Sequence, residues 1–277
     1  MMPFLDQISQ SFLIERCQRD GWNIFKGTHF HDCYELYYLE DGEITYFVDE
    51  DIYTVQKGNF ILIPPGVIHK TLPFRRQAHT RILIYLKPEF LRDFLEEDPA
   101  LLDCFARPLV TMAGKGTAER LLFGLLDEAE RGRNPVMLRA MTGELLVWLN
   151  RWTVQEADMP SAAPQISAGV NEKVLEAVRF LNAHYMEDIS LPGLAARFYM
   201  NPTYLSRIFR RVMGISYSEY LIRVRIRQAV RLLSDTDKKI TEIAQETGFH
   251  SDNHFCKMFR QVMGVSPLKY RTRAKGK

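Results

Sequence analysis

Four cysteines in 277 residues, none in a C-x-x-C arrangement, leave little from which to build a disulfide frame or a zinc ribbon. Cys17, Cys33, Cys104 and Cys256 are scattered and read as reduced thiols of a cytoplasmic protein, Cys33 as a small half-buried hydrophobe. No long apolar run is free of charges, and no basic segment leads into an apolar one at the start. Neither a membrane-spanning helix nor a secretion leader is therefore expected. What remains is ordinary globular composition, 46% hydrophobic and 25% charged, in a chain long enough for about two domains of roughly 150 residues each.

The charge is unevenly placed. Residues 1–170 carry 17 Lys/Arg against 24 Asp/Glu, and residues 171–277 carry 19 against 10, so a net +2 hides an acidic half and a basic half. A basic domain joined to an acidic one points to a polyanion partner for one half only.

From about residue 22 to 86 the pattern is one of short strands. Ile44, Tyr46 and Val48 alternate with their neighbours, and 59–63 and 81–86 are short apolar runs. Asp41-Gly42, 49–51, Lys57-Gly58 and Pro64-Pro65-Gly66 punctuate them as turns, which suits an antiparallel barrel or jelly roll. In the stretch HFHDCYELYYLEDG, His29, His31 and Glu35 are in phase for one face of a strand. Aromatic residues Trp22, Phe30, Tyr34, Tyr38 and Tyr46 lie close by in sequence; they either line a pocket or fill the barrel.

Helical spacing follows at 89–97, 117–131 and 135–154. The last carries Leu138, Met141, Leu145, Trp148, Leu149 and Trp152 as a stripe, which packs either on its own domain or in a two-stranded dimer seam. Residues 155–169, QEADMPSAAPQISAG, have linker composition.

The basic half is a repeat. LPGLAARFYMNPTYLSRIFRRVMGIS at 191–216 and ITEIAQETGFHSDNHFCKMFRQVMGVS at 240–266 align with an offset of 49 before the turn and 50 after it. Each reads as a short helix, a turn and a longer helix. Asn201-Pro202 and Ser251 are the expected helix starts, Gly214 and Gly264 the expected stops. Leu205, Phe209, Phe255 and Phe259 fall on core faces. Thr203, Ser206, Arg207 and Arg210, and in the second unit Asp252, Asn253, Cys256, Lys257 and Arg260, fall on the opposite faces. Those side chains are suited to base edges and phosphates of double-stranded DNA. A joining helix from Ser218 to Leu233, with Arg223, Arg225, Arg227 and Arg231, would set the two reading helices about 34 Å apart, in successive major grooves.

With the tandem units, Gly248-Phe249 before the second turn and the closing GVSPLKYR in view, residues 170–277 resemble the DNA-binding domain of the AraC/XylS family of bacterial transcription regulators. The first half, residues 1–154, looks like the cupin domain that commonly senses effectors in that family. His29, His31, Glu35 and Gly42 complete the first cupin motif, and Gly58, Pro64, Gly66 and His69 the second; an asparagine sometimes found four residues on is replaced by Pro73.

The resemblance implies a two-domain α+β protein, a cupin-type jelly-roll barrel with trailing helices followed by an all-α tandem helix-turn-helix. It implies a one-component regulator, usually an activator that contacts RNA polymerase near a promoter, with a carbohydrate as the effector suggested at the level of the family. His29, His31, Glu35 and His69 suit either a divalent metal ion or direct hydrogen bonding to an organic effector, with Tyr38 and Tyr46 as further contacts. No cofactor is required, no catalytic residue is assigned, and a homodimer in the cytoplasm is expected. Two alternatives stay open: a metal-dependent cupin enzyme with a DNA-binding appendage, and a constitutive DNA-binding protein whose cupin half only dimerises.

Overall fold

The structure, a computed structural model, describes residues 11–19, 27–72, 78–111, 115–132, 134–157 and 172–275. Trp22, Pro73 and positions 158–169 of the linker-like segment lie outside the described residues.

The first half forms β1 (Phe12–Arg19), β2 (Tyr34–Asp41), β3 (Glu43–Val48), β4 (Asp51–Gln56), β5 (Phe60–Ile63), β6 (His69–Leu72), β7 (His79–Leu86) and a short β8 (Leu109–Val110). They pair antiparallel in two sheets, ordered β1-β7-β2-β5-β8 and β4-β3-β6. The tight link from β2 to β3 depends on Gly42 at φ +97°, where a Cβ would stand 2.9 Å from that of His79.

Alternation along the strands sorts side chains into layers. Tyr37, Leu39, Ile44, Tyr46, Val48, Val55, Leu83 and Tyr85 meet inside the barrel. Leu36, Tyr38, Phe60, Leu62, Ile82 and Ile84 point out of the five-stranded sheet and pack under α1 (Pro88–Glu97), α2 (Lys115–Asp127) and α3 (Pro135–Ala157). Because β2 is covered on both faces, its sequence reads as an apolar run with little visible alternation.

The stripe on α3 turns inward. Leu145, Leu149 and Trp152 are buried under the sheet and Leu138, Met141 and Trp148 pack against them, so these residues form no dimer seam. The opposite side of α3 exposes Val136, Val147 and Val154. The helix also runs to Ala157, so the first three residues of the segment expected as linker complete its last turn.

The basic half folds as α4 (Glu172–Ala183), α5 (Leu191–Arg197), α6 (Pro202–Met213), α7 (Tyr217–Asp235), α8 (Ile240–Glu246), α9 (Asp252–Met263) and α10 (Pro267–Ala274). The caps are the expected ones. The Asn201 side chain accepts from the Thr203 and Tyr204 amides, Ser251 accepts from that of His254, and Gly214 and Gly264 end their helices in the left-handed region. Ser216 and Glu219 close a capping box at the head of α7.

The turn between α8 and α9 needs its glycine. Gly248 sits at φ +82°, and a Cβ there would meet the Tyr185 carbonyl at 2.9 Å and Arg225 Nε at 3.0 Å. Gly248→Ala should cost about 1–3 kcal/mol, read as a lower midpoint in urea unfolding with an unchanged slope. An unchanged midpoint would mean the turn relaxes freely.

The two halves pack on each other. Phe47, Ile52 and Leu72, on the outer face of the three-stranded sheet, share one buried cluster with Phe30, Ile68, Val212, Met213, Ile215 and Tyr220. Around it Arg227 pairs with Asp49 at 2.6 Å and the Asn182 amide donates to Glu50 at 3.0 Å. The barrel is thus the middle of three layers, with helices on one side and the tandem reader on the other.

Candidate functional site

The motif histidines converge at one end of the barrel. His29 and His69 face each other across an isolated antiparallel bridge, with ring centroids 4.3 Å apart, and His31 lies 4.9 Å from His69. The ligand-capable atoms of the three imidazoles lie within 4.8 Å of one another. Glu35, on β2, reaches two of them. Its Oε2 is 2.9 Å from His31 Nε2 and 3.3 Å from His69 Nε2, while Oε1 accepts from the Tyr46 hydroxyl at 3.2 Å.

Backbone carbonyls orient the rings. His31 Nδ1 lies 2.9 Å from the Cys33 carbonyl and His69 Nδ1 2.8 Å from that of Val67. A carbonyl only accepts, so both protons belong on Nδ1 and both Nε2 atoms face the carboxylate. Lone pairs and a carboxylate share that space only with a positive charge between them, either a second imidazole proton or a metal ion. Burial alone would raise the Glu35 carboxyl, but His69 and His31 beside it hold it well below the usual carboxylate range. Burial, reinforced by His69 and His31, pushes His29 well below its ordinary value, which keeps it a neutral base. Burial and then the Glu35 charge push the Tyr46 hydroxyl well above its own.

Of the aromatic residues singled out in the sequence, Tyr46 joins this cluster and Tyr38 does not. Tyr38 lies an odd number of residues from Glu35, so it leaves the opposite face of β2, packs on Phe60 and donates to Glu119 at 3.2 Å. Tyr34 packs against Phe105, and Phe30 belongs to the cluster between barrel and reader. Tyr85, which the sequence did not single out, and Cys33, expected as a half-buried hydrophobe and here fully buried, take their places. Tyr85 stands with its ring 5.5 Å from that of His31, and Cys33 Sγ lies 3.3 Å from His31 Nδ1. Burial raises the Cys33 thiol, the behaviour of a core residue. Tyr37 is in phase with Glu35 on β2 and was readable by alternation, while Cys33 stands in the bend before β2; Tyr85 enters through the β2–β7 register that sets it opposite Glu35. A cavity of about 500 Å³ between barrel and reader, lined by Phe30, His31, Gly66, Arg227, Met263 and Tyr270 among others, opens beside the cluster.

In the reader, α6 and α9 show the same division of faces. Leu205, Phe209, Phe255 and Phe259 are fully buried. Thr203, Arg207 and Arg210 on α6, and Asp252, Asn253, Cys256, Lys257 and Arg260 on α9, are exposed, and Ser206 is half-buried. The barrel leaves these faces uncovered. Tyr204, exposed beside them with Arg207 over its ring, was not singled out. The 19 residues of α7 rise about 28 Å. Its arginines are partly engaged elsewhere: Arg225 donates to the Tyr185 and Glu187 carbonyls, Arg223 to that of Glu219, and Arg227 to Asp49.

Comparison with known proteins matches both halves. A helix-turn-helix domain family covers residues 194–273, and an AraC-like ligand binding domain family covers residues 12–143. The chain is 27% identical over 273 residues, 91% of each chain, to YisR of Bacillus subtilis, an uncharacterized HTH-type transcriptional regulator. It is 26% identical over 251 residues, 85% of each chain, to the HTH-type transcriptional regulator ExsA of Pseudomonas aeruginosa. A shorter stretch of 98 residues, 35% of this chain and 32% of the other, is 35% identical to the melibiose operon regulatory protein of Escherichia coli.

Proposed function

This chain belongs to the AraC family of helix-turn-helix transcription regulators, and from that premise we propose that its barrel is a small-molecule receptor governing how the tandem reader engages promoter DNA. It is a DNA-binding transcription regulator with a ligand-binding domain. The observation that carries the rest is the matched pair of exposed faces, Arg207 and Arg210 on α6 with Lys257 and Arg260 on α9, backed by buried Leu205 and Phe209 and by buried Phe255 and Phe259. Arg207, Asn253 and Lys257 read base edges, and Thr203, Ser206, Arg210, Asp252, Cys256 and Arg260 complete the two contact surfaces. The rise of α7 suits adjacent major grooves of one duplex.

Within the barrel the effector meets His29, His31, Glu35, His69 and Tyr46. It enters by way of the cavity beside His31, and a carbohydrate fits the concentration of hydrogen-bonding groups around Glu35. The melibiose regulator, similar over a third of its length, is named for a sugar operon. A second reading has its own support. The Nδ1 anchoring turns the His31 and His69 Nε2 atoms toward one point, as ligands of a divalent ion are turned, and His29 completes a three-imidazole set with Glu35 alongside. A bound ion would supply the positive charge that the Glu35 carboxylate requires between itself and the imidazoles. The enzyme alternative gains nothing from the relatives, which are regulators. No described helix is long and apolar enough to cross a membrane. We place the protein in the cytoplasm, as a homodimer through the exposed side of α3, acting as an activator that meets RNA polymerase.

The test is a footprint of the full chain on its own upstream region, beside a thermal-shift screen of sugars, sugar acids and divalent metals. Specific sites should hold the protein at least about 10³-fold more tightly than scrambled duplex; sequence-blind, salt-sensitive binding would overturn the reading. A true effector at a hundred times its Kd stabilises by about 2.7 kcal/mol, and Glu35→Ala should abolish that shift. A shift that survives Glu35→Ala places the effector elsewhere.

A further inference from the structure

The bridge that joins His29 to His69 has a second side. Its backbone bonds, His29 N–H to the His69 carbonyl at 3.2 Å and His69 N–H to that of His29 at 2.9 Å, hold two histidines inward. The residues next to them, Thr28 before His29 and Lys70 after His69 on β6, turn the other way. Both meet the end of α6. The Thr28 hydroxyl donates to the Met213 carbonyl at 2.6 Å, and the Lys70 ammonium donates to the Val212 carbonyl at 3.1 Å. Thr28 is 0% exposed and Lys70 3%, so both bonds are sealed from water.

The chemistry fits the helix end. Val212 and Met213 are the last two residues of α6, and the final carbonyls of a helix have no partner within it. They carry the negative pole of the helix, so an ammonium there is favourably placed. Gly27 lies alongside, where a Cβ would stand 3.5 Å from the Ile215 Cγ2 methyl. No comparable clamp from the barrel grips α9 among the described residues. Among the described residues, the sensor grips the first reading helix by such bonds and not the second.

We propose that Thr28 and Lys70 are positioning residues: they fix the C-terminal end of α6 to the His29–His69 bridge, so that a change at the histidine cluster moves the first reading helix relative to the second. The coupling to an effector rests on the receptor reading given above; the clamp on α6 does not. A shift of either segment at the histidines carries its outward neighbour with it, because the two are adjacent in the chain in each case. The first half-site is therefore the one under effector control, and the second is the anchor.

The test uses the full chain carrying Lys70→Met and Thr28→Val, which keep the volume of each side chain and remove its polar bond. Hydroxyl-radical footprints and anisotropy titrations on the chain's own operator are the readouts, with a melting curve to confirm folding. The double variant should lose about three- to tenfold in affinity, with weakened protection confined to the half-site under α6. Unchanged protection there, or equal loss at both half-sites, overturns the clamp; should the double variant fail to fold, Thr28→Val alone is held to the same criterion. A second arm adds Glu35→Gln as the perturbation of the cluster. It should shift operator affinity in the natural chain and leave it within about twofold in the clamp variant. An equal shift in both backgrounds also overturns the coupling. If Glu35→Gln moves nothing in the natural chain while the clamp variant still loses the first half-site, the receptor reading fails and the positioning role stands.

Discussion

A full-length chain carrying both Arg207→Ala and Lys257→Ala should bind its operator about 2–6 kcal/mol more weakly than the natural chain. Each residue stands on the exposed face of a second helix, Arg207 on α6 and Lys257 on α9, and under the proposed function each donates to a guanine edge or a phosphate. A base contact of that kind carries about 1–3 kcal/mol. The two lie on separate helix-turn-helix units, so their losses should add. Anisotropy titrations at two or more salt concentrations distinguish the roles. A residue that reads a base weakens the operator and spares scrambled duplex; one that holds a phosphate weakens both and lowers the salt slope by about one. Melting temperature should stay where it is, because neither side chain supports the core. A double variant that retains operator affinity would remove α6 and α9 as the reading surface.

Phe259→Ala should have the opposite signature, a loss of about 3–5 kcal/mol in folding stability. Phe259 is 0% exposed, with the Phe255 ring 5.7 Å and the Tyr270 ring 5.8 Å away. It therefore ties α9 to α10 as well as to its own unit. A truncation there empties the space that seats the second reading helix, and a loss of this size is a large share of the 5–15 kcal/mol typical of a domain. Urea unfolding followed by far-UV circular dichroism measures it, and Phe259→Leu, which keeps most of the volume, should recover the greater part. A Phe259→Ala chain that unfolds at the natural midpoint would mean the pocket collapses without cost.

The reader was legible in the sequence because its signals are local. An asparagine with a proline after it, a serine three residues before the amide it caps, and a glycine one step past a helix end each specify backbone within a turn. They were found at Asn201, Ser251, Gly214 and Gly264. The barrel motif was legible as a spacing, but the shared strand expected for His29, His31 and Glu35 is not formed. His29 sits in an isolated bridge and His31 precedes β2, so the chain between them, not strand phase, brings them together. What could not be read was anything set by strand register or by the meeting of layers. Tyr38 was grouped with Glu35 because β2, buried on both faces, hides its own alternation. Tyr85 was overlooked because it joins the cluster from a strand almost fifty residues away in sequence. The stripe on α3 was legible as a stripe, but its destination depends on which sheet face is uncovered. Residues 155–157 have linker composition, yet the last turn of α3 needs only three more residues that can adopt helical angles, and composition is silent on that.

Exchanging the reader of one such regulator for another is a natural route to a made-to-order biosensor, and here the seam is wider than the connecting peptide. Phe47, Ile52 and Leu72 form an apolar floor, and each such side chain left facing water forfeits about 1.5–3 kcal/mol. A graft joined anywhere in 158–171 that ignores this floor would yield a sticky, uncoupled hybrid. A transplant that brings along the underside of the reader, from Val212 to Tyr220, would keep receptor and output in register.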